Sequence, residues 1–244
     1  MMKESIPIQV FVISLERSLD RRQRVKEQLA KTGIHWTFLN AVDGYALSKM
    51  PPSYNKDKVK RLQGYELTPG EVGCYLSHIK AWQACVDNQK TTLVFEDDFL
   101  LEPGFDSVLS DLLAIHKAWD LVRLSGIYET ENCLLESRET YELVQNFGDP
   151  CGTASYILNP QAACILLKNS PDIYEPVDHY LEHFKKHGLR CLAVKPYPVL
   201  LAHTRSTITD RPGRQPVQGW KKMTRSFYRY IDRMINQSPW FPKT

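Results

Sequence analysis

The sequence predicts an α/β domain built around one mostly parallel sheet. Three observations carry this. Residues 8–39 read as strand, helix, strand. Runs of bulky apolar residues then alternate with helical periodicities through the first half of the chain. One such run passes directly into a cluster of acids, as expected where an open sheet places ligands at the carboxyl ends of its strands. With 244 residues the chain suffices for one large domain or two small ones, and its 43% hydrophobic and 24% charged content is that of a globular protein.

Residues 8–15 form the first strand, with Val10, Phe11, Val12 and Ile13 consecutive and bulky. Ser18 is placed to cap a helix running to about residue 31, with Val25 and Leu29 inward and Gly33 at its end. Residues 35–39 alternate and complete a β-α-β unit whose strands should be parallel. Asn40-Ala41-Val42-Asp43-Gly44 is a turn signal. Residues 45–66, polar and broken by Pro51-Pro52, are expected to be irregular, either a functional loop or a disordered insertion.

Thr68-Pro69-Gly70-Glu71 supplies an N-cap, a proline at the first helical position and the glutamate of a capping box. The helix it opens should reach about residue 87. Val72, Tyr75, Leu76, Ile79, Trp82 and Val86 share one face of it, which puts Ser77 and His78 off the core. Residues 91–95 form a buried strand, 105–118 a helix and 120–124 a strand, while 129–138 carry no pattern. Residues 141–147 and 152–158 read as strands, 160–167 as a helix and 176–181 as a short helix. A strand at 189–194 and an extended segment at 197–202 follow.

The net charge of +3 hides an asymmetry. From Arg205 onward nine Lys and Arg face two acids, so the tail carries +7 and the remainder −4. Residues 211–216 are a Pro/Gly-rich linker. Residues 217–235 read as an amphipathic helix with Trp220, Met223, Phe227, Tyr230, Ile231 and Met234 in one stripe. Two readings fit it: a helix lying on an anionic membrane, and a helix docked on its own domain with its basic side in water. No stretch approaches the ~18 apolar residues of a membrane span. The short apolar run at 8–15 lacks a cleavage site, and the six cysteines form no C-x-x-C pair. These features point to a cytoplasmic protein with free thiols, with peripheral contact at the cytoplasmic face of a membrane as an option. A basic tail without a groove-reading module argues against nucleic acid as a partner.

The chemistry concentrates in Leu93-Val94-Phe95-Glu96-Asp97-Asp98, where an apolar strand runs into three carboxylates. Adjacent acids repel, so either a divalent cation holds them or they form a solvated turn. Arg17, Arg21, Arg22 and Arg24 follow the first strand, where a helix start receives phosphate or diphosphate. Arg17 and Arg21 are the better placed, and Arg22 and Arg24 read as a solvated face. The usual dinucleotide and triphosphate loops are absent. Transfer from a nucleotide diphosphate needs a cation for the leaving group, cationic donors, and a carboxylate to take the proton of the attacking hydroxyl. The chain has a candidate for each.

Ile13-Ser14-Leu15-Glu16-Arg17 with Arg21, residues 67–78 (LTPGEVGCYLSH), residues 93–98, residues 152–158 (GTASYIL) and Pro176-Val177-Asp178 together resemble glycosyltransferase family 25. These are bacterial lipooligosaccharide and lipopolysaccharide sugar transferases, related to the collagen galactosyltransferases. The G-E-x-G-C-x-x-S-H block followed by E-D-D is the specific part; Ser14 departs from the Asn common in the family. The resemblance spans roughly residues 8–208, dividing the chain into a domain at 1–208 and a linker with a basic helix at 209–244.

The resemblance implies a GT-A-like (Rossmann-like) single domain, a UDP-hexose donor that is usually UDP-galactose, inversion at the anomeric carbon, and Mn²⁺ or Mg²⁺. The acceptor would be a lipid-linked oligosaccharide. E-D-D would be the family's D-x-D motif. Asp98, with Asp97 and His203, would hold the cation, while Glu96 and Asp97 face the ribose or the cation's outer shell. Ile13, Ser14, Leu15, Arg17, Arg21, Ala41, Asp43 and His78 would line the nucleotide-sugar site, and Arg205 and Ser206 would touch phosphate. Asp178, opening a helix on the acceptor side, would be the catalytic base; the alternative is that it caps its helix. Glu182 is the next candidate, and Glu71 is already explained by the capping box. A different UDP-hexose donor such as UDP-glucose, and a non-catalytic binding module on the same fold, remain as other readings.

Overall fold

The computed structural model describes residues 8–202 with Ser226, Phe227 and Tyr230, the side chains of Phe184 and Lys185 excepted. The linker at 211–216, all but three residues of the expected tail helix, and His203, Arg205 and Ser206 lie outside the described residues. In chain order the elements are β1 (Ile8–Ser14), α1 (Leu19–Leu29), β2 (Thr37–Asn40), α2 (Lys56–Gln63), α3 (Pro69–Asn88), β3 (Thr91–Glu96), β4 (Phe99–Leu101), α4 (Phe105–Ala114) and β5 (Leu121–Arg123). They continue as β6 (Asn132–Ser137), β7 (Glu142–Asn146), β8 (Ser155–Leu158), α5 (Pro160–Asn169), α6 (Val177–Leu181), α7 (Phe184–His187), β9 (Cys191–Lys195) and β10 (Val199–Leu201).

Eight strands form one sheet in the order β2-β1-β3-β8-β5-β9-β7-β6. β1 is parallel to β2 and β3, and β5 to β9. β8 enters antiparallel between β3 and β5, and β7 is antiparallel to both β9 and β6. Six strands therefore share one direction, as the β-α-β alternation predicts, and β8 and β7 oppose them. β3 alternates its side chains between two cores, and so is apolar throughout. Val94 joins Val72, Trp82 and Leu166 on the side of α3 and α5. Leu93 and Phe95 join Val25, Leu29, Phe105 and Leu112 on the side of α1 and α4.

Several expectations are corrected. Residues 45–66 are not irregular throughout: a 3-10 turn occupies Gly44–Ala46, and α2 is capped by the Asn55 side chain and by Gly64 at φ 80°. Val59 is its one buried residue, so its charged sequence gave little periodicity. Residues 129–138, read as patternless, contain β6, an edge strand exposed along almost its whole length. β4 pairs with β10 in a separate two-stranded ribbon. α1 ends close to the expected residue 31, but its C-cap is Ala30 rather than Gly33, and Ser18 caps it without a side-chain hydrogen bond. Ser77 and His78 are fully buried, because α3 is covered by the sheet on one side and by the 3-10 turn, α5 and α6 elsewhere. Arg22 does not lie on a solvated face: it donates to the Ser14 carbonyl (3.1 Å) and Asn40 Oδ1 (2.6 Å), and it stacks on Phe38.

The far side of the sheet is tied by Asp120. Its carboxylate accepts from Arg190 Nε (3.0 Å), Nη2 (2.8 Å) and backbone N–H (2.8 Å). Burial works against its ionisation, and the Arg190 contacts with Asn159 outweigh burial, so its carboxyl titrates below the ordinary value of 3.8. A depressed carboxylate contributes stability that is present above its unfolded value and is lost as pH falls through the folded one. Denaturant midpoints of Asp120→Asn should therefore lie below wild type at neutral pH and converge with it below about pH 4. A pH-independent gap would remove this ion pair from the account.

Candidate active site

An open cleft lies at the carboxyl ends of β1 and β3. Of the residues expected at a nucleotide-sugar site, Ile13, Ser14, Leu15, Arg17, Arg21, Ala41, Asp43, Glu96 and Asp97 line it, together with Asp98. The far wall comes from the loop after β2, pressed onto the first turns of α3. A Cβ on Gly73 would lie 2.5 Å from the Val42 carbonyl oxygen and 2.6 Å from the Gly44 nitrogen, so no larger residue allows this approach. Ser77 fixes the same loop, accepting from the Val42 N–H (2.8 Å) and donating to the Gly73 carbonyl (2.7 Å). Asp43 is thereby carried to the cleft, where it pairs with Arg17.

The three acids have different partners. Asp97 is spoken for by the protein: Ser14 Oγ donates to Oδ2 (2.7 Å) and Arg21 Nη1 to Oδ1 (2.7 Å). Glu96 accepts from the Thr153 hydroxyl and meets His78 Nε2 at 3.3 Å. Asp98 is different. Its Oδ2 stands 3.5 Å from Arg21, and its buried Oδ1 has no hydrogen-bond partner among the described residues. Burial, then the charge of Glu96, pushes its carboxyl up to about 7, with Arg21 pulling the other way. A buried, unpartnered carboxylate oxygen is costly unless a cation or donor occupies its lone pairs.

Beneath the floor runs a chain of donors. Trp82 Nε1 can only donate, and it donates to Tyr156 Oη (2.9 Å). The single phenolic hydrogen then points to His78 Nδ1 (2.8 Å), which leaves the His78 proton on Nε2, facing Glu96. Burial alone would raise Glu96, but the hydrogen bonds it accepts from His78 and the Thr153 hydroxyl hold its carboxyl below the ordinary value. His78 thus reaches the cleft through Glu96, from a buried position below it. Cys74, His78 and Glu96 also bring their donor atoms within 4.8 Å of one another.

Asp178 stands beyond the cleft lining, on α6. Its Oδ2 accepts the Gly152 N–H (3.1 Å) and its Oδ1 the His179 N–H (3.0 Å), while Pro176 occupies the N-cap position. Its charge acts on Glu96 and Cys74, raising the carboxyl of the one and the thiol of the other. The loop it holds is clamped by Arg123, which sequence reading passed over as a strand residue. Arg123 is buried, pairs with Glu182, and donates to the carbonyls of Cys151 (3.1 Å) and Gly152. The available signal was a lone Arg inside an apolar strand, since such a group is buried only when paired. Glu182 is thus engaged by Arg123, and burial pushes its carboxyl up to about 7. Glu71 closes the capping box with Thr68, accepting its N–H at 2.8 Å.

The chain has relatives. A family model described as "Glycosyltransferase family 25 (LPS biosynthesis protein)" matches residues 7–181. The chain is similar to procollagen galactosyltransferase 1 of Danio rerio, 28% identical over 227 residues, covering 80% of this chain and 36% of that protein. A glycosyltransferase 25 family member of Aedes aegypti is 32% identical over 229 residues, covering 82% and 36%. The inactive glycosyltransferase 25 family member 3 of Homo sapiens is 38% identical over 128 residues, covering 48% and 21%. The chain spans little more than a third of the length of the first two. With a family match over most of the described residues, and its G-E-x-G-C-x-x-S-H and E-D-D segments meeting at one cleft, the chain belongs to glycosyltransferase family 25.

Proposed function

We propose that the chain transfers galactose, with inversion, from UDP-galactose to a sugar hydroxyl of a lipooligosaccharide or lipopolysaccharide acceptor, assisted by Mn²⁺ or Mg²⁺. The observation that carries this is Asp98 Oδ1, a buried carboxylate oxygen without a partner among the described residues, in a cleft that also presents Arg21. An oxygen donor of this kind fits a hard divalent cation. Asp98 would hold the cation with His203, the residue after Ala202, whose N–H donates to the Asp98 carbonyl (2.6 Å). Such a cation, when bound, supplies Lewis-acid neutralisation of the leaving diphosphate.

The chain's own residues do the rest. Arg21, fixed by Asp97, presents its guanidinium toward the diphosphate, and Arg17 stands at the mouth. Ser14, Ala41 and Asp43 line the region that receives the nucleoside, and Asp43 offers a carboxylate to the ribose hydroxyls. Asp178, with both oxygens oriented by backbone N–H groups, accepts the proton of the attacking hydroxyl. Donor choice follows the names of the relatives, and acceptor choice follows the description of the family. The basic tail suits an anionic glycolipid acceptor.

Thermal denaturation with Mn²⁺ and each of UDP-galactose, UDP-glucose and UDP-N-acetylglucosamine tests the reading. UDP-galactose should raise the melting temperature most, by the equivalent of about 2.7 kcal/mol at a hundred times its Kd. Asp98→Asn should remove the Mn²⁺-dependent part. A larger shift with UDP-glucose would move the donor, and no shift with any of the three would favour a non-catalytic role like that of the inactive human relative.

A further inference from the structure

Around the start of α6 a second group of donor atoms converges. Asp149 and Cys151 come from the loop between β7 and β8, and His179 from α6. The Asp149 carboxylate, the Cys151 sulfur and a His179 ring nitrogen all lie within 4.8 Å of one another. Asp149 Oδ1 accepts the Cys151 N–H (2.7 Å), which turns Oδ2 toward His179 Nε2, 3.6 Å away. All three residues are partly exposed, which leaves room for a water as a fourth ligand.

Metal–ligand bonds of about 2.0 Å to nitrogen or oxygen and about 2.3 Å to sulfur give a tetrahedron with edges of about 3.3–3.5 Å. The Asp149–His179 separation is close to one such edge. The donor set is one sulfur, one imidazole and one carboxylate. It suits Zn²⁺ or Co²⁺ and is wrong for the hard cations an all-oxygen site selects. Arg123 holds the Cys151 carbonyl at 3.1 Å, so the loop is fixed before any ion arrives.

We propose that Asp149, Cys151 and His179 bind a thiophilic divalent cation, Zn²⁺ in the first place, which staples the loop at 149–151 to α6. The inference is independent of the function proposed above, because neither donor nor acceptor sugar enters it.

The test uses the full chain and Co²⁺ as probe. One Co²⁺ per chain should bind with a sulfur-to-cobalt charge-transfer band and the strong visible absorption of tetrahedral cobalt. Zn²⁺ should displace it and Mn²⁺ should not. Cys151→Ser should abolish the band, and His179→Gln should weaken Zn²⁺ binding about tenfold or more. A band that survives Cys151→Ser overturns the proposal, as does one lost only in Cys74→Ser, which would assign the ion to Cys74, His78 and Glu96. The wild-type chain supplies a measurement that needs no variant. Zn²⁺ should slow alkylation of Cys151 relative to the other five cysteines, read by peptide mass spectrometry, and equal rates with and without Zn²⁺ overturn the site.

Discussion

Asp178→Asn is expected to lower sugar transfer by about a hundred- to ten-thousand-fold, the usual worth of a general base, while stabilisation by UDP-sugar and Mn²⁺ persists. Three buried or half-buried acids, Glu71, Asp178 and Glu182, are candidates for the base. Glu71 is consumed by the capping box and Glu182 by Arg123. Asp178 is met, among the described residues, by two backbone N–H groups, which orient a carboxylate and leave lone pairs on each oxygen for an incoming hydroxyl. An amide keeps the size of the group and cannot take the proton. It also turns an NH₂ toward one of those N–H groups, a local cost of about 1–3 kcal/mol that melting curves will register separately from the rate. Two readouts together decide the matter: single-turnover transfer and donor-induced stabilisation. Transfer near the wild-type rate in Asp178→Asn, with loss in Glu182→Gln, would hand the role to Glu182. Loss of donor stabilisation in Asp178→Asn would make Asp178 a binding residue.

The second large effect concerns Arg123. Arg123→Met should destabilise the fold by about 3–5 kcal/mol, because it strands a buried carboxylate and two carbonyls at once. The double variant with Glu182→Met should recover part of that loss, since no buried charge then lacks its partner. Sign and pH dependence follow from Glu182, whose carboxyl burial already lifts from 4.5 to about 7 against the pull of Arg123. Without Arg123 the lift increases. A raised acid contributes stability below its unfolded value and loses it as pH rises through the folded one. Up to the wild-type value of about 7 both proteins lose the same contribution, so the extra cost of Arg123→Met should be constant below about pH 6 and grow as pH rises from about 7 toward 9. Urea midpoints across that range measure it. A cost under about 1 kcal/mol at pH 7 would mean that the pair is solvated in solution.

Much of the donor half was legible in the sequence, because it is made of local signals. The capping box at Thr68, the consecutive β-branched residues of β1, and the passage from apolar strand to acids in β3 each announce themselves within a few residues. What escaped depends on partners distant in the chain. The direction of β8 cannot be read from Ser-Tyr-Ile-Leu, since a strand buried on both faces looks the same pointing either way. β6 escaped because an edge strand needs no buried face, and α2 because one buried valine leaves no stripe. The burial of His78 required knowing that α3 is covered on several sides, and the work of Arg123 required knowing that residues 151, 152 and 182 converge on it.

The antiparallel course of β8 has a consequence for the loop that precedes it. Because β8 runs against β3, the loop that precedes it arrives where β3 exits, and the Glu96 N–H donates to the Ala154 carbonyl (2.9 Å). A parallel strand in that position would have sent this loop to the opposite end of the strands. The loop is a tether between β7 and β8, outside every strand pairing of the donor half. Its Thr153 hydroxyl meets Glu96 and its Gly152 N–H meets Asp178, so one short loop ties the cleft to α6. Under the proposed function, acceptor preference and nucleotide handling are therefore coupled through this loop, and exchanging residues 147–153 for those of a relative should change both.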